Sequence, residues 1–109
     1  MSYRVEFIGQ AKSDYRRLYS YIAQRSPQGA ANWDDALDAA LARIRVTPNS
    51  FGAAPESRAL TRPVRQALFC TRHGRVYRVV FEVKDDRVIV LRLRGPGQRP
   101  LRKRDLGES

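Results

Sequence analysis

A chain of 109 residues fits one compact domain and is long enough to bury a core without help from metal or disulfide. Its 21 Lys and Arg against 11 Asp and Glu leave a formal net charge of +10, which points to an anionic partner, either nucleic acid or an acidic protein. One Cys and one His exclude an intramolecular disulfide and provide too few ligands for a Cys/His zinc site, so no metal or cofactor is expected.

Nearly all of the positive charge is arginine, the lysines being Lys12, Lys84 and Lys103. Cys70 closes an apolar run and reads as a small hydrophobe, and a lone thiol suits a reducing compartment. The start, Met1-Ser2-Tyr3-Arg4, has no apolar signal core, and no apolar run approaches the roughly 18 to 20 residues of a membrane span. A soluble, cytoplasmic protein is expected.

In chain order, Tyr3 to Ile8 alternates apolar Tyr3, Val5 and Phe7 with charged Arg4 and Glu6, the pattern of a half-buried strand. Gly9-Gln10 reads as a turn. From Ala11 the period becomes helical, with Ala11, Tyr15, Leu18, Tyr19 and Ile22 on one face and Lys12, Asp14, Arg16, Arg17 and Gln24 off it. Ser26 then offers an N-cap and Pro27 a first helical residue. A second helix is predicted from Pro27 to about Val46, with an apolar stripe of Ala30, Trp33, Leu37, Ala40, Leu41 and Ile44. Its acids Asp34, Asp35 and Asp38 precede Arg43 and Arg45, the order that the helix dipole favours. So short a connection makes the two helices a hairpin. Trp33, Tyr15 and Tyr19 read as core.

Thr47 to Pro63 is a long loop carrying Pro48, Gly52, Pro55 and Pro63. Three strands follow: Val64 to Phe69, Val76 to Val83 and Arg87 to Arg94. Arg72 to Arg75, including His73, turns the first into the second, and Lys84-Asp85-Asp86 turns the second into the third. From Gly95 onward order is expected to decay, so that residues 1–98 form the domain and 99–109 a basic tail.

The predicted fold is α+β, in the order β-α-α-β-β-β, with a helix hairpin packed on one face of a mostly antiparallel four-stranded sheet. Strict alternation turns Tyr77, Val79, Phe81, Val83, Ile89, Leu91 and Leu93 toward the helices. It turns Arg78, Val80, Val88, Val90, Arg92 and Arg94 to the other side. Arginine is costly to bury, so a sheet face carrying these guanidinium groups, with Arg65, is expected to be an anion-binding surface. Against this stands ordinary ion pairing: Arg78 with Glu6 or Glu82 across strands, and Glu56 with Arg58 or Arg62 within the loop.

The element order resembles that of the RelE/ParE superfamily of bacterial toxins. So do Ser26-Pro27 with Ala30, Ala31 and Trp33, the loop Gly52-Ala53-Ala54-Pro55-Glu56, Val64-Arg65, and above all Tyr77-Arg78-Val79-Val80-Phe81-Glu82-Val83. The resemblance runs from Tyr3 to about Leu101. It implies the toxin of a type II toxin–antitoxin pair, held in check by a cognate antitoxin. RelE-like members of the family cleave mRNA on the ribosome, and ParE-like members inhibit DNA gyrase.

On the nuclease branch, Arg78 matches the sheet arginine at the scissile phosphate, Glu56 resembles a general base, and Arg99 resembles a second phosphate contact. The acid is missing from this pattern. Gly95-Pro96-Gly97 stands where some subgroups have a histidine, and Asp105 lies near the place where others have a tyrosine. The long contiguous helices and the missing acid favour the ParE-like branch. Target or anion contacts would then come from Arg65, Arg92, Arg94, Arg102, Lys103 and Arg104. An acidic amphipathic antitoxin segment is expected to cover an exposed Val80, Val88 and Val90 patch. His73 reads as a solvated turn residue. A non-toxic basic binding module is the remaining alternative.

Overall fold

A computed structural model describes residues 2–59, 62–71, 74–99 and 101–106. Its elements are β1 (Arg4–Phe7), α1 (Gly9–Arg25), α2 (Pro27–Val46), β2 (Arg65–Cys70), β3 (Val76–Lys84) and β4 (Arg87–Arg94), with short 3-10 turns at Pro48–Ser50, Pro55–Ala59 and Lys103–Leu106. The sheet order is β1-β4-β3-β2. β1 runs parallel to β4 and the other pairs are antiparallel. The predicted α+β order and the helix hairpin on a mostly antiparallel four-stranded sheet are what the chain forms.

Local sequence accounts for the hairpin. Ser26 alone separates α1 from α2, in extended backbone (φ −159°), and its Oγ accepts the Gly29 N–H at 2.9 Å. Pro27 follows at the first helical position, where its missing N–H costs nothing. A Cβ at Gly29 would stand 3.2 Å from Ser26 Oγ, so the glycine leaves the cap its room. The structure also corrects the start of α1: the helix begins at Gly9, directly after Ile8, and Gly9-Gln10 is its first turn rather than a loop.

Trp33 is fully buried at the centre of the layer between helices and sheet, where its ring meets Tyr15, Phe69 and Tyr77 at centroid distances of 5.6, 6.3 and 6.0 Å. Tyr15 is half-buried and Tyr19 exposed, so the expected aromatic core is really Trp33 with sheet residues. Around it lie Ala11, Leu18, Leu37, Ala40, Ile44, Val79, Phe81, Val88, Val90 and Leu93.

Val88 and Val90 therefore face the helices, contrary to expectation. The cause is a bulge. Val80 pairs with Arg92 but Phe81 pairs with Val90, leaving Leu91 as a surplus residue in β4. One extra residue shifts the side-chain phase of everything before it. Leu91 and Ile89, expected against the helices, belong instead to a second core on the opposite face, with Ala54, Val64, Val80, Leu101 and Leu106. None of Val80, Val88 and Val90 is exposed, so the three do not form a surface patch.

The second core also corrects the expected loss of order after Gly95. Leu101 and Leu106 are buried on the sheet, and the 3-10 turn Lys103–Leu106 carries the chain across its outer face. Two leucines removed from water contribute roughly 3–6 kcal/mol before ordering costs. Among the described residues, no helix is long and apolar enough to cross a membrane.

Candidate functional site

Arg78, on β3, points away from the helices into a cluster built by three separate segments. The loop before β2 is tied back to that strand by the Ala54 N–H donating to Val64 O at 2.9 Å and by an Ala53–Arg65 bridge. The Val64 N–H donates to Ser57 Oγ at 3.2 Å. These ties fix the 3-10 turn Pro55–Ala59 beside β3 and direct Glu56 at Arg78.

The two side chains meet as a fork on a fork. Arg78 Nη1 donates to Glu56 Oε1 at 3.0 Å and Nη2 to Oε2 at 2.7 Å, while Nη1 also donates to Gln66 Oε1 at 2.9 Å. The Leu101 N–H donates to Glu56 Oε2 at 3.2 Å from the other side. Burial works to raise the Glu56 pKa, but the hydrogen bonds from Arg78 and the backbone overturn this and bring it down to about 2. The carboxylate is thus an anion with both oxygens engaged and weak proton affinity.

The remaining sheet arginines are partnered too. On α1, Asp14 is buried and accepts Arg92 Nε at 2.7 Å, Arg92 Nη2 at 3.0 Å and the Leu93 N–H at 3.0 Å. Burial pushes the Asp14 pKa up, and these donors reverse the shift and hold it below its usual value. Arg94 is buried. Its Nη2 donates to the Arg99 carbonyl at 2.6 Å, its Nε has no partner among the described residues, and burial lowers its pKa. Arg62 pairs with Glu82 at 2.8 Å. Arg65 lies on the helix side, where Nη1 donates to Phe51 O at 2.6 Å.

Arg99 makes a bidentate pair with Asp105 at 2.8 and 3.2 Å, and Asp105 also takes the Arg102 N–H. The hydrogen bonds from Arg99 hold Asp105 well below the usual carboxylate range.

The structure therefore gathers Arg78, Arg92 and Arg94 on the predicted face but gives each an internal partner. Arg78 pairs with Glu56, not with Glu6 or Glu82, and Glu56 does not pair with Arg58 or Arg62. Arg65 bonds the Phe51 carbonyl and Arg99 bonds the Asp105 carboxylate. Arg102 and Arg104 are exposed. Lys103 is placed in the 3-10 turn, but its side chain and all of His73 lie outside the described residues.

Sequence reasoning missed Asp14, Asp105 and Gln66. Asp14 had a signal, since 11, 14, 15, 18 and 22 follow the helical spacing and place it within the apolar stripe. A charge at such a position needs a buried partner. Asp105 and Gln66 had no comparable signal.

A family model described as the ParE toxin of the type II toxin–antitoxin system parDE matches residues 5–100. The chain belongs to this family. No curated protein matches it. The ParE toxin model spans the helix hairpin, the sheet and the Glu56–Arg78 pair, and stops just before the buried Leu101. Membership makes the protein a type II toxin and implies an antitoxin as its partner.

Proposed function

We propose that this toxin inhibits growth in the cytoplasm by binding DNA gyrase, and that a cognate antitoxin with an acidic amphipathic segment neutralises it. The observation that carries this reading is the closed Glu56–Arg78 pair. Cleaving RNA through its own 2′-hydroxyl requires a base, a cation at the phosphate and an acid for the leaving oxygen. Here the would-be base and cation neutralise each other at 2.7 Å. Among the described residues, the groups touching the pair are Gln66 and the Leu101 amide, neither of which is an acid.

Inhibition by binding needs no such constellation. Arg102 and Arg104 stay exposed and can serve as interface anchors. The net charge of +10 supports an acidic partner segment that folds on contact.

One observation favours the RelE-like reading: Glu56 and Arg78, far apart in sequence, do meet, as a nuclease would require once RNA displaced the pair. A supercoiling assay separates the readings. The purified protein is expected to abolish gyrase supercoiling, and the neighbouring gene product to restore it. Unchanged supercoiling at a large molar excess, together with codon-phased mRNA cuts lost in Arg78→Ala, would establish the nuclease instead. Unimpaired growth on expression would leave a basic binding module.

A further inference from the structure

A groove of about 600 Å³ runs between α1 and α2 and reaches Phe7 of β1. Phe7, Tyr15 and Leu41, all half-buried, supply its apolar surface. α1 lines one side with Lys12 and Arg16, and α2 lines the other with Asp34 and Asp38. The two rims carry opposite charge, yet they are not bridged. Among the described residues, Lys12, Arg16, Asp35 and Asp38 form no ion pair. Asp34 accepts the Tyr15 hydroxyl at 2.7 Å.

Unpaired acids are unexpected in a chain with 21 Lys and Arg. Asp14, Glu56, Glu82 and Asp105 each hold an arginine at 2.7 or 2.8 Å. Asp34, Asp35 and Asp38 instead crowd one turn of α2, where like charges destabilise a helix. Burial and the charges of Asp34 and Asp35 raise the Asp38 pKa above its ordinary value. Cations from outside the chain would relieve this.

The charge pattern is self-complementary. A two-fold axis laid along the groove, parallel to the helices, sets α1 of one copy on α2 of the other, and the same contact recurs across the axis. An axis across the helices would set basic α1 on basic α1. Tyr19, 37% exposed and stacked on Tyr15 at 6.0 Å, adds apolar surface for a second copy to cover. The 17 residues of α1 span about 25 Å. Two helices side by side are about 20 Å wide, so a pair of such faces buries about 1,000 Å² in all, the lower bound for a specific interface.

We propose that two copies of this chain pair reversibly through the helix hairpin, Lys12 and Arg16 of each facing the partner's Asp34 and Asp38 across an apolar seam of Tyr15, Tyr19 and Leu41. The pairing concerns the chain alone and is independent of the gyrase reading.

Sedimentation equilibrium on the intact chain, purified without an antitoxin, tests it. Between about 1 and 300 μM the mass should rise from 12.5 kDa toward twice that value and no further. Two charge variants, K12E/R16E and D34N/D38K, should each associate at least about tenfold more weakly. Both should keep the far-UV spectrum of the parent chain, because Lys12, Arg16 and Asp38 are exposed and position 34 keeps an acceptor for Tyr15. A one-to-one mixture of the two should regain the dimer. The acidic α1 of the first then meets the altered α2 of the second, and the acids of the first meet the unaltered Lys12 and Arg16 of the second. A chain that stays at 12.5 kDa throughout would overturn the proposal and leave the groove to a different protein. So would undiminished association in K12E/R16E, growth beyond two copies, or a mixture no heavier than its separate components.

Discussion

Asp14 and Arg92 join α1 to the sheet where β1 comes to an end. The last ladder contact of that side is the Ile8 N–H donating to Val90 O, and beyond it the Leu93 N–H donates to Asp14 Oδ2 at 3.0 Å. The carboxylate thus does for the end of β4 what a longer first strand would have done, and Arg92 balances its charge. Asp14→Asn keeps an acceptor but removes the charge, leaving Arg92 with only the Asp105 side of its environment. Unfolding free energy should fall by about 3 kcal/mol, read from urea denaturation. A midpoint that does not move would mean that Asp105 suffices.

Acid stability follows from the same chemistry. Glu56 and Asp14 both have folded-state pKa values below their ordinary ones, Glu56 going from 4.5 to about 2. The sign is that of depressed carboxylates: their contribution is complete above the unfolded pKa and is lost as pH falls through the folded one. Stability should decline between about pH 4.5 and 2, with Glu56 accounting for about 3 kcal/mol of the loss. Glu56→Gln should be less stable near neutrality and show a flatter decline below pH 4.5, measured by denaturant titrations across that range.

If gyrase is the target, Glu56 is a counter-ion and not a proton acceptor. Glu56→Gln should then retain growth inhibition within a few-fold once expression levels are matched. Colony counts after brief induction decide the matter, since loss of toxicity in a soluble, folded variant would return the residue to a chemical role.

The second core makes the strap after β4 structural. Leu106→Ala should cost about 2–4 kcal/mol and uncover Val80 and Leu91, which it helps bury. Increased binding of an apolar dye would accompany the fall in thermal midpoint. If neither changes, the 3-10 turn at Lys103–Leu106 does not hold the outer face closed.

At the helix hairpin, Ser26→Ala removes the acceptor for the Gly29 N–H. A loss of about 1 kcal/mol is expected, with amide exchange accelerated in the first turn of α2 and unaltered in β3.

The sequence made the elements readable because each is written locally. Ser26-Pro27 states a cap and a helix start, and the runs Val76 to Val83 and Arg87 to Arg94 state strands in almost their observed bounds. Pairing is not local. No residue of β4 announces Leu91 as surplus, since an apolar side chain there suits either face, and the alternation carried through it put Val88, Ile89 and Val90 on the wrong sides. The sheet arginines were placed correctly on one face at Arg78, Arg92 and Arg94, but their partners come from residues far along the chain: Glu56, Asp14 and the Arg99 carbonyl. Exposure was inferred from charge, and it failed because opposite charges converged from α1, the loop and the strap.

The kink at Leu91 splices two reading frames into one strand. Residues before it are in step with the helix hairpin, and those after it obey a frame displaced by one position. Length in this strand is consequently as informative as composition. Dropping Leu91 would close the bulge and leave Val88 and Val90 in the layer they fill, whereas straightening the strand with Leu91 still in it would rotate both out. Point substitutions there should be tolerated far more readily than the insertion of one further residue.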